Sequence, residues 1–148
     1  MAREGLSRGD LLLLIVVLAV FGIVDSLYLT WQWYEAASGS WCDIGSYFSC
    51  TRVRESAYSS VGGVPTAVIG AVGFAILLFL ATARVRGLEH IGPWSTERWL
   101  LLFSSVGAFV GAGLSAIEVL VIQAVCVLCV LGFGLDLAIL AVGLLWLR

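Results

Sequence analysis

The 148-residue sequence is 61% hydrophobic and only 12% charged, with a mean hydropathy of +1.05, a composition that excludes an ordinary water-soluble domain. Its net charge is −2, and all eight basic residues are arginines scattered along the chain. That leaves no basic patch to track phosphates and excludes nucleic acid as a partner.

In chain order, the first apolar run is Leu11 to Trp31, long enough to cross a hydrocarbon core as a helix. It continues through Tyr28 and Trp31 without a small-residue cleavage site, so it reads as a retained span and not as a signal peptide. A polar loop rich in Ser and Gly follows over residues 32–63 and carries Cys42 and Cys50. The second run, Val64 to Ala83, has Pro65 at its start, where the missing N–H costs nothing. The connection from Arg84 to Arg98 holds charges, the single His90 and Pro93. The third run, Trp99 to Ile122, contains the small-residue face Gly107 to Gly111, and Gly70 and Gly73 offer similar thin surfaces on the second; close helix packing is the expected reason for both. After a connection of hardly more than Gln123 and Ala124 comes the fourth run, Val125 to Leu147.

Lipid offers the backbone no hydrogen bonds, so these runs are expected to be helices (about 11–31, 64–83, 99–122 and 125–147). The expected fold is all-α and integral to the membrane, a four-transmembrane-helix bundle forming one domain over 1–148. An even number of crossings between them puts the first loop and the start of the fourth helix on one membrane face. Arg3, Arg8, Arg84, Arg86, Arg98 and Arg148 fall on one side, and Arg52 and Arg54 on the cysteine side. This bias predicts a multi-pass plasma-membrane protein with cytoplasmic termini and an extracytoplasmic cysteine loop.

The sequence Cys126-Val127-Leu128-Cys129 is expected in the first turn of the fourth helix, where free N–H groups and the helix dipole stabilise a thiolate. Its spacing puts both sulfurs on one face, close enough to bridge; two small buried hydrophobes would be the alternative. Cys42 and Cys50 read, taken alone, as a structural loop staple. Two pairs converging on one face suit a relay instead, with a mobile pair that meets a soluble partner and a fixed pair that meets a lipid-soluble acceptor. Zinc held by four thiolates fits the spacing poorly, and no metal is expected. Arg52 and Arg54 flank Cys50 and are placed to favour its thiolate, with a solvated loop charge as the alternative.

The stretch from Cys42-Asp43-Ile44-Gly45 through Phe48-Ser49-Cys50-Thr51-Arg52-Val53, then Ser56, Tyr58 and Gly63-Val64-Pro65, resembles the vitamin K epoxide reductase family and its bacterial and archaeal homologues. Glu118, Val121-Ile122 and Cys126-Val127-Leu128-Cys129 extend the resemblance over nearly the whole chain, in the form without a fused thioredoxin domain. DsbB-type disulfide oxidases place the C-x-x-C before the widely spaced pair, the reverse of the order here. The resemblance implies that Cys42 accepts electrons from a separate thioredoxin-like or DsbA-like protein and that Cys50 then attacks Cys126. Cys129 would face a quinone of the menaquinone, ubiquinone or phylloquinone type, and the product would be protein disulfides. Ser56 matches a family serine expected to hydrogen-bond near Cys50, unless it is a plain cap. Thr66 loosely matches a pocket asparagine, and Phe133 stands where animal members have a tyrosine that contacts the quinone.

Asp136 lies seven residues after Cys129 on the same helical face, deep enough to be costly if ionised. It is either a proton source for quinone reduction or a structural group of the bundle interior. Asp25 and Glu118 are expected first as interhelical hydrogen-bonding groups, with Glu118 also a pocket candidate. Two readings compete with the quinone-linked oxidase. One is a vitamin K epoxide or quinone reductase in a vitamin K cycle. The other is a non-enzymatic four-helix scaffold with a stapled loop, which gives no reason for Cys126 and Cys129 to share that side.

Overall fold

The computed structural model describes residues 5–35 and 41–148. Arg3, counted in the arginine balance, and loop residues 36–40 lie outside them. Among the described residues, four helices are long and apolar enough to cross a membrane, with mean hydropathies of 2.0 to 2.6. The first, α1 (Arg8–Glu35), outruns its apolar stretch at both ends. Apolar patterning marks only the lipid-facing length, whereas helical hydrogen bonding continues into the interfaces. Ser7 and Asp10 start it reciprocally: the Ser7 N–H donates to Asp10 Oδ2 at 2.9 Å, and the Asp10 N–H donates to Ser7 Oγ at 3.1 Å. This arrangement satisfies two N–H groups at the start of the helix.

The cysteine loop is partly structured. It holds a short helix α2 (Cys50–Glu55), a single 3₁₀ turn (Ala57–Ser59), and a hairpin of β1 (Ser60–Val61) and β2 (Val64–Pro65). Val61 pairs with Val64 across Gly62 and Gly63, whose φ values of 59° and 84° are those a two-residue hairpin turn requires and glycine supplies without strain. The second span, α3 (Thr66–Val85), begins directly after that hairpin. A second hairpin, β3 (His90–Ile91) with β4 (Trp94–Ser95), fills the next connection and leads into α4 (Thr96–Ile117). That helix starts at Thr96 because Ser95 caps it, accepting from the Arg98 N–H. It runs on into a wider π-type turn over Glu118–Ile122, and the last span is α5 (Val127–Trp146).

In the bundle, α1 packs against α3 and α5, and α4 packs against the same two helices from the other side. The half nearest the termini is closed by Ile15 and Ala19 of α1, Leu77, Leu80 and Ala81 of α3, Leu100 of α4 and Ile139 of α5. The half nearest the cysteines opens into a cavity of about 420 Å³ reached by all four spanning helices. Glycines set the close approaches. A Cβ on Gly22 would stand 2.4 Å from the Phe74 ring, and Cβ atoms on Gly107 and Gly111 would stand 2.8 Å from Asp136 and 2.4 Å from Phe133. The expected thin face on α4 is therefore a packing surface for α5. On α3, Gly70 faces Ser26, but Gly73 has nothing within 4 Å of its would-be Cβ and lines the cavity.

Candidate active site

The cysteine site is assembled by backbone pairing between two segments far apart in the chain. The Val125 N–H donates to the Tyr47 carbonyl at 2.8 Å, and the Ser49 N–H donates to the Val125 carbonyl at 3.1 Å, forming a parallel bridge between Phe48 and Val125. Cys50 follows Ser49 and Cys126 follows Val125, so this register sets the two sulfurs side by side. It also explains why the last helix begins later than its apolar run. Gln123 turns the chain with φ 55°, Val125 is occupied by the bridge, and Cys126 is left as the N-cap, with φ −88° and ψ 113°. Cys126 was expected in the first turn of that helix and sits one position outside it. Cys129 is inside.

Cys42 and Cys50 form a disulfide, while Cys126 and Cys129 are free thiols. The Cys126 thiol donates to Cys50 Sγ at 2.8 Å. The sulfurs of Cys42, Cys50 and Cys126 all lie within 4.8 Å of one another, and each of these residues is buried. Because two of the three are bonded to each other, the group is a thiol against a disulfide, the arrangement for exchange. Cys129 is half-buried one turn along α5 and interacts with the Cys126 thiol.

A carboxyl group stands beside each cysteine pair. The Cys126 N–H donates to Glu118 Oε2 at 3.1 Å, and Glu118 and Cys129 line the same cavity. Glu118 thus links the end of α4 to the start of α5, as an interhelical hydrogen-bonding group, and does so at the sulfurs. At the loop end Asp43 accepts from Ser49 Oγ at 2.9 Å, from the Thr51 N–H at 3.1 Å and from Thr51 Oγ1 at 2.6 Å. Ser49 in turn accepts from the Arg52 N–H as the N-cap of α2. A carboxylate beside Cys42 therefore satisfies the first turn of the helix that begins with Cys50. Its signal in the sequence is the Asp directly after one cysteine combined with the Ser and Thr on either side of the other.

The remaining candidates divide. Arg52 donates to the Ser46 carbonyl at 2.7 Å on the exposed side of the loop. Arg54 donates to the Gln32 carbonyl at 3.2 Å, tying α2 to α1, and lines the cavity. Ser56 closes α2, its hydroxyl donating to the Val53 carbonyl at 2.6 Å, which is the capping role. Thr66 is in the cavity wall, its hydroxyl donating to the Ser59 carbonyl at 3.1 Å. Cys50, Cys126, Cys129, Glu118, Phe133 and Asp136 also line the cavity. Sequence reasoning did not place Asp25 there; it is in the same wall, and its Oδ1 has no hydrogen-bond partner among the described residues. His90 is in the β3–β4 hairpin at the other end of the bundle.

No curated protein matches the chain. A family model described as the Vitamin K epoxide reductase family matches residues 13–144, a stretch holding every cysteine, the whole of α3 and α4 and most of α1 and α5. The chain belongs to the vitamin K epoxide reductase family.

Proposed function

We propose that this protein passes electrons from a reduced thioredoxin-like partner through Cys42 and Cys50 to Cys126 and Cys129, and from there to a membrane quinone, so that protein disulfides form at the expense of quinone. Family membership carries membrane disulfide and quinone redox chemistry, and the chain is a multi-pass membrane oxidoreductase. The observation that carries the finer reading is the 2.8 Å approach of the Cys126 thiol to Cys50 Sγ, itself bonded to Cys42.

The exchange balances as follows. A partner thiolate attacks Cys42 Sγ and releases Cys50 as a thiolate; the partner's second thiol then resolves that mixed disulfide, leaving Cys42 reduced and the partner oxidised. Cys50 attacks Cys126 of a Cys126–Cys129 disulfide and releases Cys129 as a thiolate, which the neighbouring Glu118 carboxyl is placed to protonate. Cys42 attacks Cys50, restoring the loop disulfide and freeing Cys126. The end state, with the loop pair bridged and the helix pair reduced, is the oxidation pattern of the structure. Cys42 is fully buried, so partner attack requires segment 41–48 to swing away from Val125.

The cavity suits a quinone. Its volume of about 420 Å³ falls within the range of small-molecule sites, its walls are mostly apolar, and Cys126 and Cys129 open into it. A bound quinone would supply a two-electron, two-proton acceptor for the helix thiols. The residues expected to hold it are Phe133, Asp136 and Thr66, with Glu118 beside the sulfurs. The arginine bias supports cytoplasmic termini and an extracytoplasmic cysteine face.

The test is turnover in detergent with a reduced thioredoxin-like protein and a short-chain quinone, followed by quinone absorbance. Wild type should consume quinone, and Cys42→Ala, Cys50→Ala, Cys126→Ala and Cys129→Ala should each fall to background. Consumption that persists without Cys42 and Cys50 would remove the loop from the path. Absence of turnover in wild type with an intact loop disulfide would favour the stapled scaffold.

A further inference from the structure

The cavity wall contains two carboxyl groups whose hydrogen bonding is incomplete. Asp25 on α1 is 8% exposed and Asp136 on α5 is 7% exposed. Both line the cavity, and one oxygen of each, Asp25 Oδ1 and Asp136 Oδ2, is buried without a hydrogen-bond partner among the described residues. Leaving a buried polar group unpaired is costly, and more so where lipid, not water, surrounds the bundle. By contrast, Asp43, Ser49, Thr51, Ser56, Thr66 and Glu118, around the cysteines and the cavity mouth, each have a partner.

Both carboxyls are seated by glycines. A Cβ on Gly132 would stand 3.0 Å from Asp25 Oδ2, and a Cβ on Gly107 would stand 2.8 Å from Asp136 Oδ2. Gly132 lies between Cys129 and Asp136 on α5, so Asp25 meets that helix within a turn of the reactive thiol, with Asp136 one turn deeper. Phe133, between them, offers no hydrogen bond. The carboxyl torsion of aspartate is broad and two-fold, so either oxygen can be aimed into the cavity at little cost.

We propose that Asp25 and Asp136, each as the neutral carboxylic acid, donate hydrogen bonds to the carbonyl oxygens of the cavity's occupant, which selects a flat apolar ligand bearing two ring carbonyls. This inference rests on the quinone reading of the cavity and assigns its polar recognition to these side chains. Glu118 is the other carboxyl in the wall, and it is already engaged by the Cys126 N–H.

Binding, not turnover, tests it. The intact protein in detergent is titrated with a short-chain benzoquinone while tryptophan fluorescence is followed, in wild type and in Asp25→Leu, Asp136→Leu, Asp25→Asn and Asp136→Asn. Loss of one ligand hydrogen bond is expected to weaken binding about tenfold in each Leu variant, while the Asn variants, which keep a donor, stay within about threefold. Infrared difference spectra with carbonyl-labelled quinone give a second readout. Wild type should shift the carbonyl bands down from their position in detergent alone, and each Leu variant should return one band toward it. Gly107→Ala, which crowds Asp136 without removing it, should weaken binding in the same direction. If a Leu variant fails to fold, the Asn spectra decide, since a changed donor must move the band. Wild-type affinity and unshifted bands in all variants would overturn the assignment while leaving the quinone site in place. No quenching of the wild type would remove the quinone reading and this inference together.

Discussion

The two halves of the bundle are lined by different residues to opposite ends. Near the termini, Ile15, Leu100 and Ile139 are sealed from solvent and fill the space between four helices. Near the cysteines, the same helices present Gly73, Gly107, Gly111 and Gly132 and leave a cavity with polar groups in its wall. Close-packed interiors lose stability for every methylene removed, so a fold that leaves a hollow on one side must be held by the other. The closed half is the scaffold and the open half holds the candidate site.

The comparison breaks most completely at the sulfurs. In Cys42→Ala, Cys50 has no resolving thiol. After one cycle of quinone oxidation, Cys50 should attack the Cys126–Cys129 disulfide and stay joined to Cys126, with Cys129 left as the only free thiol. Alkylation followed by non-reducing peptide mass mapping would show it, and turnover should be lost. A Cys50–Cys129 linkage would contradict the 2.8 Å contact of Cys50 with Cys126.

Next in size is the contrast in stability. Ile139→Ala in the closed half should destabilise the protein by about 2–5 kcal/mol, because a fully buried side chain is replaced by a void. Val110→Ala, in the cavity wall and 49% exposed, should change it by less than about 0.5 kcal/mol. Thermal unfolding in detergent separates the two, and similar shifts would mean that the halves are not energetically distinct.

The scaffold was legible from composition, since apolar length alone marks four spans, and an even number of crossings puts all four cysteines at one end. The Gly62-Gly63 hairpin was legible too, as two glycines between valines, but was absorbed into a polar loop. What the sequence could not show is the Phe48–Val125 bridge, a pairing between residues 77 positions apart in the chain that displaces Cys126 from its helix. Local propensity is silent on such contacts. Asp25 was hidden for a similar reason: an acid in a span is expected to find a partner on another helix, and only the packed bundle shows that one oxygen has none among the described residues.

Gly111→Ala sharpens the comparison from the open side. The added methyl would stand 2.4 Å from the Phe133 ring, forcing the ring toward the cavity or α4 away from α5. Overpacking of this kind costs about 1–3 kcal/mol. The expected signature is a raised KM for quinone with a smaller change in the rate at which Cys50 exchanges with Cys126, since the bridge at Val125 is untouched. Equal loss of both would mean the cavity and the exchange site move as one body.

A modest effect is expected at Asp43, and its sign is the informative part. Its carboxylate holds Ser49 and Thr51 through three hydrogen bonds, and these do not depend on the disulfide next to it. When the loop pair is reduced, the clamp keeps Cys42 beside Cys50, which raises the effective concentration of one thiol toward the other. Asp43→Ala should therefore make the Cys42–Cys50 disulfide easier to reduce, by about tenfold in its equilibrium with a glutathione buffer, or about 30 mV for a two-electron couple. Asp43→Asn, which keeps an acceptor for the Thr51 N–H, should fall between. A disulfide that becomes harder to reduce would mean that the clamp strains the bridge, and Asp43 would then favour the open, partner-accepting loop instead of its closure.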